Sequence, residues 1–127
     1  MNVPGDSRTF FYNPGTNDAL AEADIPVEDI AAAGIGLFYL GYLNLMGRLD
    51  AVDADGSTGA ARLLARAKAT GMITVADLVS ADTPSFAATV AAALPHIDFL
   101  FLNEIEAQRA TGLPILGPDD RDGILAA

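Results

Sequence analysis

The fold is decided by one stretch of the chain, Asp98-Phe99-Leu100-Phe101-Leu102-Asn103-Glu104-Ile105-Glu106-Ala107. A short apolar run bounded by polar residues predicts a strand that is covered on both faces. The polar residues that follow it predict the start of a helix. Because ligands bind beyond the carboxyl ends of strands in open α/β sheets, Asn103 and Glu106 are candidate site residues.

A purely structural role explains the same two residues. Asn103 is a favourable N-cap residue, and Glu106 lies three positions later, where it completes a capping box. The spacing alone therefore leaves a structural and a functional interpretation open.

Outward from this stretch, strands and helices alternate three times. The predicted strands cover 35–40, 72–78 and 97–102, and the predicted helices cover 27–33, 58–70, 82–94 and 104–111, with a further helix starting near 119. Residues 41–44 are predicted to form a loop, and 8–12 an additional strand before a turn at 13–15. Helical connections of this length require right-handed parallel crossovers. The sequence thus predicts one α/β domain over residues 1–127, with a three-layer, mostly parallel sheet and flanking helices.

Composition excludes several classes of function. The chain has 127 residues and a net charge of −10, which disfavours a nucleic acid as partner. No apolar run approaches the length of a membrane span, and residues 1–7 do not resemble a secretory signal. Since the chain also contains no cysteine, it fits a reducing compartment, and we expect a cytoplasmic protein.

Several kinds of site are also excluded. His96 is the one histidine, so an ordinary His/Cys zinc site cannot form within one chain, and its place before a strand favours a structural role. Neither a Gly-x-Gly-x-x-Gly segment after a strand nor a Walker A sequence is present. Asp50, Asp53 and Asp55 lack the glutamate that a calcium loop requires, which favours a solvated loop.

Three segments together resemble the ribokinase-like (PfkB) family of sugar kinases. The segment 8–20, Arg-Thr-Phe-Phe-Tyr-Asn-Pro-Gly-Thr-Asn-Asp-Ala-Leu, is similar to the family's lid strand and its return turn. The segment Asn103-Glu104-Ile105-Glu106 resembles the family's NxxE motif, and a strand ends near Asp77 where the family has an Asp or Asn. The order and spacing of the three segments agree across nearly the whole chain.

The resemblance implies a partial ribokinase-like fold, with a lid strand and turn over 1–20 and crossover units over 21–127. It also implies phosphoryl transfer from ATP to a sugar hydroxyl with Mg²⁺. Asn103 and Glu106 would then lie near the phosphates, with Glu106 helping to hold the hydrated metal directly or through water. Asn17 and Tyr42 are candidate substrate contacts, although turn chemistry and core packing explain them equally well.

The sequence also departs from the family. The family's catalytic base lies in a Gly-Ala-Gly-Asp segment, which this sequence does not contain, so no catalytic residue is assigned. The chain resembles the middle of a sugar kinase, and we expect it to be inactive alone and to bind ATP and Mg²⁺ only weakly. The alternative is a non-catalytic α/β module that self-associates through exposed sheet edges as a homo-oligomer.

Overall fold

The computed structural model describes residues 11–117 and 119–126 and has an α/β fold built on a three-stranded parallel sheet with the order β1-β2-β3. The strands are β1 Leu37–Leu43, β2 Ile73–Leu78 and β3 Phe99–Phe101. The helices are α1 Thr16–Ala19, α2 Val27–Ala32, α3 Gly47–Asp50, α4 Gly59–Ala69, α5 Phe86–Ala93, α6 Glu104–Thr111 and α7 Arg121–Ala126, with 3₁₀ turns at Glu22–Asp24 and Leu94–His96. Within these residues, no helix is both long enough and apolar enough to cross a membrane.

The first strand differs from its prediction. It continues through Gly41, where a loop was predicted, and reaches Leu43 by way of an irregularity in its pairing with β2 between Leu40 and Leu43. Tyr42 lies in this bulge with a positive φ of 61°. The loop prediction was wrong because pairing of Leu43 with Leu78 extends the strand past the glycine. A bulge of this kind accommodates one extra residue in the strand.

The helix ends test the capping predictions. The sequence offers Ser57 or Thr58 as the cap of α4, and Thr58 is the one that caps it, by accepting a hydrogen bond from the Ala61 amide at 3.0 Å. Gly112 ends α6 in the left-handed conformation with φ of 72°, also as predicted. Asp82 or Thr83 was predicted to cap α5, and this was wrong. The helix begins only at Phe86, and Ser85 before it makes no side-chain capping bond.

The predicted lid strand falls largely outside the described residues. Phe11 and Tyr12 are described, and neither belongs to a strand. The Tyr12 hydroxyl instead donates a hydrogen bond to the Leu45 carbonyl oxygen at 3.2 Å, which places this segment beside the loop that follows β1.

One face of the sheet carries the hydrophobic core. Phe38 and Leu40 of β1 point into it and are buried together with Leu63 and Leu64 of α4. Helix α4 contacts both β1 and β2, and α5 packs beside it. Apolar burial of this kind is the main favourable contribution to folding, so α4 is the principal stabilising helix.

The opposite face of the sheet is bare, and we call it the open face. It is formed by Leu37 and Tyr39 of β1, Ile73 of β2, and Phe99 and Phe101 of β3, and these side chains are 47–63% exposed. The prediction of three layers, and of a last strand buried on both faces, was therefore wrong for the residues that the structure describes.

The strand order explains why the helices leave this face uncovered. Strands β1, β2 and β3 are parallel and follow one another in space in the order of the chain. Because crossovers share one hand, two successive crossovers in the same direction place their helices on the same side. A third layer requires a reversal of strand order, which this sheet does not contain.

Asp98 supplies a pH-dependent contact at the amino end of β3. Its carboxylate accepts hydrogen bonds from the Lys68 ammonium at 2.8 Å and from the Thr74 amide at 2.9 Å. The Lys68 contact, followed by the bonds from Thr74, lowers the pKa of Asp98 from 3.8 to about 2. Since the folded state favours the ionised carboxylate, these contacts stabilise the folded state above pH 3.8, and this stabilisation is lost as the pH falls toward 2.

We expect Asp98→Asn to be less stable than the unmodified chain near neutral pH, with the difference shrinking on acidification through this window. Urea unfolding at a series of pH values measures the difference. The control is Asp29→Asn, which removes an exposed carboxylate from α2. A difference between Asp98→Asn and the unmodified chain that stays constant down to pH 2 would contradict the assignment.

Candidate site at the carboxyl edge of the sheet

The start of α6 forms the capping box that the spacing predicted. The Asn103 side-chain oxygen accepts a hydrogen bond from the Glu106 amide at 2.9 Å. In return, the Glu106 Oε2 atom accepts one from the Asn103 amide at 2.9 Å. The structural interpretation of the two residues is confirmed, and it brings both side chains to the point where β3 ends.

Ser80 joins this pair from the neighbouring strand. It lies two residues beyond the end of β2, and its hydroxyl donates to the Glu106 Oε1 atom at 2.7 Å. The same hydroxyl oxygen accepts a hydrogen bond from the Asn103 side-chain amide at 3.2 Å. Asn103, Glu106 and Ser80 therefore form one closed hydrogen-bond network, which we call the rim network.

Arg109 holds the loop that carries Ser80. One nitrogen of its guanidinium donates to the carbonyl oxygens of Ser80 at 2.7 Å and Ala81 at 2.6 Å. Because Arg109 lies on the same helix as Glu106, α6 binds both the backbone and the side chain of Ser80. The position of Ser80 is thus fixed by a single rigid element.

The network leaves its members unequally accessible. Glu106 is only 5% exposed, and each of its carboxylate oxygens already accepts a hydrogen bond. Asn103 and Ser80, in contrast, are exposed at the rim. Among the described residues, no three His, Asp or Glu side chains are close enough to hold a metal ion together. Direct coordination of Mg²⁺ by Glu106 does not fit this arrangement, whereas contact of Asn103 and Ser80 with a hydrated ion does.

A cleft of about 510 Å³ opens next to Asn103 and Glu104. Its other lining residues are mostly apolar. They come from α5 and the turn after it, from β3 and the residue after it, and from α6 and α7, and they include Leu94, Leu102 and Ile124. An apolar cleft with a few polar groups at one end is the usual form of a small-molecule site. Of the rim network, Asn103 lines this cleft, whereas Glu106 and Ser80 do not.

The structure separates the two candidate substrate residues from the rim network. Asn17 lies exposed on α1, and Tyr42 lies exposed in the bulge of β1, with its amide donating to the Asp77 carboxylate. Asp77 itself lies within β2, one residue before its end. Neither Asn17 nor Tyr42 lines the cleft beside Asn103 or the cleft described next.

A second cleft, of about 420 Å³, lies beyond the carboxyl end of β1. Two buried polar atoms on its wall, Asn44 Nδ2 and Asp50 Oδ1, have no hydrogen-bond partner among the described residues. Burial raises the pKa of Asp50, although amides of the preceding loop, Met46 foremost, oppose the shift by donating to its carboxylate. The sequence interpretation of Asp50 as part of a solvated acidic loop missed this partial burial.

Ser80 is the site residue that the sequence interpretation missed. A signal for it was present, since Ser80 follows β2 at the edge where Asn103 follows β3, and the carboxyl ends of parallel strands lie side by side. His96, in contrast, precedes β3, and its backbone carbonyl accepts a hydrogen bond from the Thr74 hydroxyl at 2.7 Å.

Comparison of the chain with models of known protein families, with curated proteins and with solved structures gave no match.

Proposed function

We propose that this α/β unit is the metal-side part of a cytoplasmic, ATP- and Mg²⁺-dependent sugar kinase of the ribokinase-like (PfkB) type. The single observation that carries the proposal is the rim network, which brings Asn103, Glu106 and Ser80 together at the carboxyl ends of β2 and β3. This is the edge of a parallel sheet where phosphate-bearing ligands bind.

Each member of the rim network has its own part in the proposal. Asn103 and Ser80 present an amide and a hydroxyl at the rim, where they would contact the water shell of a bound Mg²⁺, an ion that keeps several of its waters in proteins. Glu106 orients both groups from below. Its carboxylate accepts hydrogen bonds from the Ser80 hydroxyl and the Asn103 backbone amide, and its own backbone amide donates to the Asn103 side-chain oxygen. When bound, the metal neutralises charge on the phosphoryl group during transfer.

The chain alone is expected not to transfer phosphate. Phosphoryl transfer depends on positioning by groups from several strands at once, and the sequence contains no Gly-Ala-Gly-Asp segment to supply a base. The appropriate test of the proposal is therefore metal binding at the rim rather than turnover.

Manganese, a paramagnetic substitute for Mg²⁺, locates such a weak site. With ATP and Mn²⁺, we expect the amide NMR signals of Ser80, Asn103 and Glu106 to broaden before those of the remaining described residues. Glu106→Gln should weaken this broadening roughly tenfold, because the new amide group cannot accept both hydrogen bonds. The matched control is Glu104→Gln, because Glu104 lies two residues before Glu106 on α6 and does not belong to the rim network.

Two NMR results would contradict the proposed metal site, and one activity result would contradict the expectation that the chain alone is inactive. Broadening centred away from the carboxyl edge, or equal in Glu106→Gln and the unmodified chain, would remove the rim network as a metal site. Sugar phosphorylation by the purified chain, abolished in Glu106→Ala, would show instead that the chain needs no further segment for catalysis. Circular dichroism of each variant separates loss of binding from loss of folding.

A further inference from the structure

The open face is the feature that the proposed function does not use. Parallel sheets normally carry cover on both faces, because their strands are apolar on both. Here Tyr39, Phe99 and Phe101 are 53%, 58% and 63% exposed. A contiguous patch of this kind on a folded domain marks an interaction surface.

We propose that a second copy of this chain covers the open face, so that the protein is a dimer with its two sheets packed face to face. This inference is independent of the kinase proposal, since the open face and the rim network do not share a residue. It also differs from association through strand edges, which the sequence alone suggested.

The area of the open face is sufficient for such a dimer. At about 150–250 Å² for each aromatic side chain, the three aromatic residues leave roughly 350 Å² uncovered, and the aliphatic residues bring this to roughly 500 Å². Two copies would bury roughly 1,000 Å² in total, which is the lower limit of a specific interface. The dimer is therefore expected to be weak but specific.

The shape of the open face favours another sheet as its cover. Val75, at the centre of β2, is paired with Tyr39 on one side and Phe99 on the other. Val75 is only 8% exposed, so the central strand forms a shallow groove between two aromatic ridges. A ridge from one copy fits the groove of the other, and the same patch serves both copies in a twofold dimer.

The charges of the chain disfavour a membrane as the cover. The three strands contain no Lys or Arg, and Asp77 is their one acidic residue. With a net charge of −10, the chain is repelled by anionic lipid, and the open face offers no basic group to offset this repulsion. A second copy presents the same mostly apolar surface. The one carboxylate on it, that of Asp77, which is paired with Phe101, already accepts a hydrogen bond from the Tyr42 amide.

Sedimentation equilibrium of the full chain over a range of concentrations tests the proposal. We expect a monomer–dimer equilibrium that tightens as salt is added, because salt screens the repulsion between two acidic copies. The informative variant is Ile73→Lys. Ile73 lies on β2, which is paired with a strand on each side, so a lysine there affects the open face without touching a free strand edge.

Ile73→Lys is expected to raise the dissociation constant of the dimer at least roughly thirtyfold, because the lysine would place a charge without a partner in an apolar interface. Phe101→Lys serves as a second variant. Because Ile73 and Phe101 are both exposed in one copy of the chain, we expect both variants to fold, and circular dichroism checks this. Leu116→Lys is the matched control, because Leu116 is 91% exposed and lies outside the open face. It should leave the dissociation constant unchanged.

Three outcomes would overturn the inference. The first is a monomer at all concentrations up to about 100 μM, the weak end of specific association. The second is a dimer that Ile73→Lys does not weaken, which would point to strand edges. The third is a chain that stays monomeric but binds vesicles of zwitterionic lipid, with binding lost in Ile73→Lys, since the open face would then be a lipid surface.

Discussion

Replacing Leu63 by alanine is expected to lower the free energy of unfolding by about 3–5 kcal/mol. Leu63 is fully buried on α4, in the core between this helix and the sheet. Truncation removes apolar burial and leaves a cavity, and a helix anchored on two strands cannot move inward far enough to fill it. Urea unfolding followed by circular dichroism measures the change.

The effect of Leu63→Ala is large relative to the stability that this fold can reach. Because no described helix of the chain covers the open face, one copy buries less apolar surface than a three-layer domain of equal length, and typical domains reach only about 5–15 kcal/mol. The control is Leu125→Ala on α7, where the leucine is 85% exposed and the change should stay within about 0.5 kcal/mol. Equal effects at the two positions would mean that the core does not lie between α4 and the sheet.

Replacing Glu106 by alanine is expected to lower the free energy of unfolding by about 2–4 kcal/mol. The substitution deprives the Ser80 hydroxyl and the Asn103 amide of the carboxylate that accepts their hydrogen bonds. Hydrogen bonds to a charged group contribute about 1.5–3 kcal/mol each, and because Ser80 and Asn103 are exposed, water replaces part of what their donors lose. The same unfolding measurement applies.

Glu104→Ala separates this effect from the removal of any glutamate at the start of α6. Glu104 also favours the amino end of the helix through its charge, but it does not belong to the rim network. Its removal should cost less than about 1 kcal/mol. If Glu104→Ala and Glu106→Ala destabilise equally, the network contributes nothing beyond the charge at the end of the helix.

The start of α6 shows how far local spacing reaches. Asn103 followed by Glu106 predicted a capping box, and both of its hydrogen bonds are present. A capping box involves atoms only three residues apart, so its geometry depends little on the remainder of the chain. The contact of Glu106 with Ser80 spans 26 residues and depends on the register of β2 and β3, which no local pattern contains.

The first and last strands show where local patterns fail. Residues 41–43 were predicted as a loop because of Gly41, yet pairing with β2 makes them part of β1. The run ending at Leu102 was predicted to be buried on both faces, yet Phe99 and Phe101 are exposed. In the first case, pairing with β2 extended the strand beyond the glycine. In the second case, no described element packs on the outer face of β3, so its aromatic side chains stay exposed.

The sequence by itself determined the α/β class, the alternation of strands with helices, the cap at Asn103, and the end of α6 at Gly112, and it limited the cap of α4 to Ser57 or Thr58. These features depend on side-chain periodicity and on hydrogen bonds between near neighbours in the chain. Only the tertiary structure decided that both crossover helices lie on one face of the sheet and that Ser80 meets Glu106. The reason is that strand order and register are set by long-range pairing, which brings together residues that the sequence keeps far apart.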